Sequence, residues 1–179
     1  RVPKTRLAAA PVTRVSAPPA GLPTATMAGY YARFARGGFG LVFTEGLYTD
    51  KAYWQGYLNQ PGMADDEQAQ AWAGITGNAR EHGTLMFAQL MHAGALSQGN
   101  RFRDQTVAPS AVKPLGRQMT FYYGQGEYAE PVAMTEAQIA EAIDGFVQSA
   151  VRAVRIAYFA GIEIHGANGY LLDQFLTPR

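Results

Sequence analysis

The sequence predicts an α/β chain holding about the first four β/α units of a TIM (β/α)8 barrel. Three observations lead there. Short apolar, strand-like runs alternate with helical segments in the order β-α-β-α-β-α-β, at spacings of about forty residues, which implies parallel strands joined by right-handed crossovers. Doubly wound sheets share that order, but no Gly-x-Gly-x-x-Gly turn follows the first strand, as a dinucleotide-binding sheet would show. Polar side chains also gather just past the C-terminal strand ends, where barrels place their chemistry. Half a barrel would leave two open parallel edges and an uncovered interior. Residues 1–179 are therefore expected to be a fragment of a single domain, or to pair with something.

The elements follow in order. Arg6 to Ala10 is a short apolar run stopped by Pro11, a weak strand. After a Pro/Ala/Gly loop, Thr24 is placed to cap a helix through Met27, Tyr30, Tyr31 and Phe34, ended by Gly37-Gly38. Gly40 to Gly46 is a glycine-bounded apolar run suited to a strand buried on both faces. A loop with Tyr53, Trp54, Tyr57, Pro61 and Gly62 leads to Asp65-Asp66-Glu67, carboxylates fitting the first turn of a helix from about Asp66 to His82. Leu85 to Leu90 is the third strand. His92 to Val132 spans about forty residues without a clear period, and connections of that length usually carry function. Thr135 and Gln138 have capping-box spacing. The helix they open repeats Ile139, Ile143, Phe146, Val147, Ala150, Val151 and Val154 at helical intervals, which predicts one buried face. Gly161 to His165 is the fourth strand, and Tyr170 to Leu176 begins a further element.

Composition narrows the function. The chain is 47% hydrophobic and 16% charged with net charge +1, which gives no general attraction to nucleic acid or membrane. Its basic residues are scattered, Arg101 and Arg103 being among the tightest pairs. Cysteine is absent, excluding disulfides and thiolate metal sites in this stretch. No apolar run approaches the ~20 residues of a membrane span, and no signal peptide is visible. A cytoplasmic location is the expectation. The chain starts at Arg1 and stops at Thr177-Pro178-Arg179, and both ends read as cut.

Thr13 follows the first strand, Thr44, Glu45 and Gly46 end the second, Gln89 and His92 belong to the third, and His165, Asn168 and Tyr170 follow the fourth. A barrel would bring this hydroxyl, amide, imidazole and phenol to one mouth. The motifs Ala10-Pro11-Val12-Thr13-Arg14, Thr44-Glu45-Gly46, Gln60-Pro61-Gly62 and Gln89-Leu90-x-His92-x-Gly94 occur in order. The run from Glu163 through His165-Gly166-Ala167-Asn168-Gly169-Tyr170 to Leu176 completes the set. Together they resemble the old yellow enzyme family over nearly the whole chain.

The resemblance implies a ping-pong ene-reductase. NAD(P)H reduces a non-covalently bound FMN, which passes hydride to an alkene conjugated to a carbonyl or nitro group. It implies that Thr13 bonds flavin O4 and Gln89 the pyrimidine edge, with Pro11, Val12 and Gly46 against the isoalloxazine. It further implies that His165 and Asn168 hold the substrate oxygen and Tyr170 protonates the α-carbon. Two donors placed where negative charge develops lower the barrier as an oxyanion hole does. Tyrosine, with an ordinary pKa of about 10, carries the proton it must give. On one helical turn, positions 165 and 168 would share a side. No metal is implied. The partner expected is a small unsaturated carbonyl compound, besides the missing C-terminal half or an oligomer partner.

Several positions depart from the family pattern: Tyr158 stands for a glycine, Ala160 for an aspartate and Ala95 for a basic residue. The phosphate grip and a flavin-facing arginine come from the family's second half, so this stretch alone is expected to bind FMN weakly or not at all. Taken singly, the residues have plainer readings. His165 suits a structural histidine, Asn168 a helix cap, Thr13 a turn and Tyr170 packing. Gln89 in a strand is harder to explain so, because a buried amide needs partners. His92 is assigned no catalytic role, and His82 suits a charge at a helix end. Tyr53, Trp54, Tyr57, Phe121, Tyr122 and Tyr123 either line the mouth or pack the loops. Glu45 and Glu163 read as partners of backbone or arginine groups rather than a metal or acid-base pair.

Rival functions find less support. A Schiff-base aldolase needs a strand-end lysine, yet Lys4, Lys51 and Lys113 lie outside the strands. A metallohydrolase needs clustered ligands, and the three histidines are far apart. An inactive half-barrel or assembly module, and within the family a dienoyl-CoA reductase-like enzyme, stay as alternatives. Thr13 and Asn168 resemble the branch containing the yeast enzymes.

Overall fold

Along the chain run β1 (Ala8–Ala9), α1 (Ala25–Arg36), β2 (Leu41–Tyr48), α2 (Asp66–Glu81) and β3 (Leu85–Met91). Then follow β4 (Val107–Ala108), β5 (Val132–Ala133), α3 (Glu136–Arg155), β6 (Gly161–Ile164) and α4 (Leu171–Leu176). The structure, a computed structural model, describes residues 2–53, 55–100 and 103–177. Arg1, Trp54, Arg101, Pro178 and Arg179, named above, lie outside the described residues.

Helices α1, α2 and α3 each start where a polar side chain satisfies a free N–H group. Thr24 accepts from Met27 N at 3.3 Å, Asp65 from Gln68 N at 2.8 Å, and Thr135 and Gln138 form the complete capping box. Lys4 Nζ donates to Ala35 O at 3.1 Å and His82 O at 2.5 Å, placing one ammonium at the negative C-terminal ends of both α1 and α2.

The main sheet has four strands in the order β1-β2-β3-β6, all parallel. Neighbours in space are thus successive in sequence, as in a barrel, with no reversal of strand order as at a doubly wound switch point. One face of the sheet meets the helices. There Val42, Leu47, Met86, Ala88 and Leu90 pack with Met27, Tyr31, Ala35, Ala69, Trp72 and Ile75. Trp72, fully buried, lies 5.6 Å from the Tyr31 ring and 5.7 Å from Phe159. Inside the curve, Phe43 and Phe87 meet edge to face at 5.6 Å, and a β-carbon on Gly161 would strike the Phe87 ring.

β2 carries a bulge. Its pairing with β3 jumps from Phe43↔Phe87 to Gly46↔Gln89, so Thr44 and Glu45 oppose one residue. Thr44 Oγ1 fills the gap by accepting from Gln89 N at 3.0 Å. The bulge sets Gly46 on the inner face.

Four expectations change. The first strand is only Ala8–Ala9, while β2 runs two residues beyond Gly46, to Tyr48. The long connection after β3 contains two 3-10 turns, Gly94–Leu96 and Thr120–Tyr122, and the parallel pair β4–β5, too short to carry a period. The apolar stripe of α3 is split: Phe146 and Ala150 pack on the main core, but Ile143, Val147, Val151 and Val154 are 45–61% exposed. Small residues face inward instead, namely Ala142, Gly145, Ser149 and Ala153. The reason is close approach. A β-carbon on Gly145 would stand 3.2 Å from Asp50 Cβ, and Ser149 Oγ bonds Thr49 O and Met63 O, both at 2.9 Å. Finally, His165, Asn168 and Tyr170 do not share a helical turn. Asn168 (φ 60°) and Gly169 (φ 74°) are the central residues of a turn closed by Tyr170 N to Ala167 O at 3.2 Å. Two positive φ values in an Asn-Gly pair are the type I′ pattern. Helix α4 starts only at Leu171.

Candidate functional site

A cavity of about 770 Å3 opens at the C-terminal ends of the strands, the size range of cofactor and ligand pockets. All eight residues nominated from sequence line it: Pro11, Val12, Thr13, Gly46, Gln89, His165, Asn168 and Tyr170. They come from the segments after β1 and β6 and from the tops of β2 and β3.

The floor is a row across three strands. Gly46 pairs with Gln89 and Gln89 with Glu163, so their inner faces lie at one level of the sheet. Gly46 is buried, and a β-carbon there would come within 2.6 Å of Met91 Sδ and 3.5 Å of Gln89 Oε1. The Gln89 amide donates through Nε2 to Glu163 Oε1 at 2.6 Å. Glu163 was expected to serve backbone or arginine groups, and its partner is this amide.

One wall is the segment after β1. Thr13 Oγ1 lies 3.4 Å from the Tyr57 hydroxyl, and Tyr57 is buried and stacked on Tyr122 with centroids 4.7 Å apart. Arg14 N donates to Glu45 Oε2 at 2.9 Å, matching the backbone role expected of Glu45. Burial pushes this carboxyl up to about 7, against the lowering pull of the Arg14 N–H and charge, the Val15 N–H and the Tyr31 hydroxyl.

The opposite wall is the loop after β6. Ala167 N donates to His165 Nδ1 at 3.3 Å. Because Nδ1 accepts, the ring proton of the neutral imidazole sits on Nε2, which is left to donate. Burial lowers the His165 pKa, and Glu163 and Asp173 only partly offset it. The neutral tautomer therefore dominates at neutral pH. Tyr170 meets the His165 ring edge-on at 4.9 Å. Burial, with Tyr122 and Tyr128 adding, pushes its pKa up to about 12, so its hydroxyl keeps its proton. Asn168 is exposed at the rim.

Two supporting residues escaped the sequence reading. Asp173 Oδ2 accepts from Gly169 N at 2.7 Å, fixing the Asn-Gly turn. Gln174 donates to Gly169 O at 2.6 Å and Ala93 O at 3.3 Å, and accepts from Ala95 N at 3.2 Å, stapling the loops after β3 and β6 together. Two adjacent polar residues in the first turns of an otherwise apolar helix were the available signal. The loop aromatics divide. Phe121 and Tyr122 line the cavity, Tyr53 packs on the His92 ring at 5.0 Å, and Tyr123 is exposed in the left-handed region. His92 lies buried with Nδ1 accepting from Gly94 N at 3.0 Å, apart from the cavity. Among the described residues no group of three or more His, Asp or Glu side chains could hold a metal, and no helix is long and apolar enough to cross a membrane.

A flat ring with a polar edge fits this donor set. The floor has no side chain at Gly46, Gln89 offers an amide, and Thr13 offers a hydroxyl. The sequence model of the NADH:flavin oxidoreductase / NADH oxidase family matches residues 3–179. The chain is 32% identical over 176 residues to a probable flavin mononucleotide-dependent alkene reductase of Leishmania infantum, covering 96% of this chain and 47% of that protein. It is 34% identical to 12-oxophytodienoate reductase 7 of Oryza sativa subsp. japonica, covering 96% and 43%. Among solved structures, an old yellow enzyme homologue from Zymomonas mobilis superposes with a TM-score of 0.86 at 37% identity, covering 96% of this chain and 47% of that one. Morphinone reductase superposes at 0.85 with 30% identity, covering 98% and 47%. The chain thus spans about half the length of these relatives.

Proposed function

From the premise that this chain belongs to the NADH:flavin oxidoreductase / NADH oxidase family, we propose that residues 1–179 form the N-terminal half of a single FMN-binding barrel domain. The complete protein, on this reading, reduces the C=C bond of α,β-unsaturated carbonyl or nitro compounds at the expense of NAD(P)H. The observation that carries it is the convergence of the eight nominated residues on one cavity at the strand ends.

Gln89 and Thr13 hold the polar edge of the FMN ring, while Pro11, Val12 and Gly46 give it a surface to lie on. Bound there, FMN supplies the hydride. His165 donates through Nε2 to the substrate oxygen, and Asn168 adds a second donor from the rim. Both act where negative charge grows as hydride reaches the β-carbon, and so favour the transition state over the ground state. Tyr170, kept protonated by its surroundings, gives its proton to the α-carbon.

The exposed stripe Ile143, Val147, Val151 and Val154 and the outer edge of β6, which pairs with no strand among the described residues, favour a companion reading: this stretch alone is inactive until the rest of a barrel covers them. Purified complete protein should show flavin absorbance and oxidise NAD(P)H when given 2-cyclohexenone, with saturated cyclohexanone as product. Colourless protein that takes up no FMN, or flavoprotein that leaves the alkene intact, overturns the reading.

A further inference from the structure

Gln89 and Glu163 are cross-strand partners in register on β3 and β6, and Gln89 Nε2 donates to Glu163 Oε1 at 2.6 Å. Both line the cavity floor. The two ends of a glutamine amide are ordinarily hard to tell apart. Here chemistry decides, because a carboxylate oxygen accepts and only the amide nitrogen can donate to it. With Nε2 turned toward Glu163, Oε1 lies on the Gly46 side, 3.5 Å from where a β-carbon on that glycine would stand. The floor therefore presents Oε1 as an acceptor beside one remaining N–H. The complementary ligand edge places an N–H next to a carbonyl, as an imide does.

We infer that Glu163 is a positioning residue. It locks the Gln89 amide with its oxygen free for the ligand, and so makes the site select a ring whose edge carries an imide N–H. The inference rests on the flavin reading above and deepens it. Glu163 acts only through Gln89. Accepting the amide N–H also polarises the amide, strengthening Oε1 as an acceptor. Without the carboxylate, the amide can turn by half a revolution and offer a donor where the acceptor stood.

The test uses complete protein stripped of FMN and titrated with FMN or 3-methyl-FMN, whose imide N–H is replaced by a methyl group. Fluorescence quenching reads the two affinities, and alkaline titration of the bound FMN spectrum reads loss of the N3 proton. Wild type should prefer FMN roughly tenfold or more, the scale of one well-placed hydrogen bond. In Glu163→Gln, a side chain that can also donate frees the Gln89 amide to turn. The preference should shrink to about threefold or less, and N3 should lose its proton about one pH unit lower, since a turned amide donates to the deprotonated ring. Glu163→Ala, read the same way, serves if the glutamine variant does not fold. Wild type that binds no FMN sinks the flavin reading itself. FMN binding with no preference in wild type, or with preference and N3 titration unchanged in the variants, sinks the role of Glu163 while the flavin reading stands.

Discussion

The backbone N–H of Arg14 donates to Glu45 Oε2 at 2.9 Å, tying the segment that carries Pro11, Val12 and Thr13 to the bulge in β2. The tie restrains a strained stretch, since Val15 sits at φ 48°, a region costly for a β-branched residue. Glu45 is 1% exposed, and its Oε1 has no hydrogen-bond partner. The charged form is therefore poorly solvated, which is why burial raises its pKa to about 7.

The sign of the resulting pH dependence follows. A carboxyl whose folded pKa lies above its unfolded value of 4.5 binds a proton more readily when folded. Its contribution is fully present below about 4.5 and is lost as pH rises to about 7. An upper bound on the loss is about 3.5 kcal/mol at ~1.4 kcal/mol per unit. Urea unfolding at pH 5 and pH 8 should show wild type losing more stability than Glu45→Gln, which cannot titrate. Equal slopes in the two proteins would show that Glu45 is ionised throughout.

Tyr170→Phe keeps the ring against His165 and removes only the hydroxyl. In the complete protein, reoxidation of the flavin by an enone should slow by roughly 10²- to 10⁴-fold, the usual yield of a placed general acid. Reduction of the flavin by NAD(P)H should be nearly unchanged. Stopped-flow measurement of the two half-reactions separates these, and equal losses in both would remove Tyr170 from proton donation.

His165→Ala deletes the Nε2 donor that the Ala167 N–H bond defines. Binding of a phenol, followed by its long-wavelength charge-transfer band, should weaken about ten- to a hundredfold, as for loss of a hydrogen bond to a charged oxygen. An unchanged titration would place the phenol oxygen elsewhere.

At Asn168 backbone and ligand effects can be separated. Its φ of 60° suits Asn or Gly and costs alanine about 1 kcal/mol or more. Asn168→Ala should therefore lose both stability and phenol affinity, and Asn168→Gly only affinity. If the two variants are equally stable in urea, the turn does not need a residue tolerant of positive φ.

Much of the site was legible because its residues sit at strand ends, where a run of apolar residues stops and a polar one follows. Gln89 stands out as an amide inside a strand, and Thr13 and His165 directly follow short apolar runs. The loop conformation was not legible, since the spacing of His165 and Asn168 fits a helical turn while the backbone at Asn168 and Gly169 forms a reversed turn. Gln174 was missed as a support, and Gln89 as the partner of Glu163, because the groups that meet are distant in sequence. The pair β4–β5 joins segments twenty-five residues apart, from Val107↔Val132, and so leaves no local pattern.

The inward face of α3 supplies the last prediction, because periodicity passed over the small residues that are buried there. Hydrophobic spacing points to Val147, which is 51% exposed, whereas Ser149 is fully buried. Ser149 Oγ lies 2.9 Å from both Thr49 O and Met63 O, joining α3 to the two ends of the loop after β2. Ser149→Ala would leave buried carbonyls without that donor and should cost about 1–3 kcal/mol. Ser149→Leu should cost more, since Gly145, one turn earlier, already packs closely on Asp50. Val147→Thr, at the position the pattern favours, should change the stability of residues 1–179 by less than about 0.5 kcal/mol. In a complete barrel the same substitution should cost more, because a neighbouring element would then cover that side chain. Urea midpoints for the three variants in both lengths of protein test the ordering, and a Val147→Thr loss equal to that of Ser149→Ala in residues 1–179 would mean the stripe is already covered.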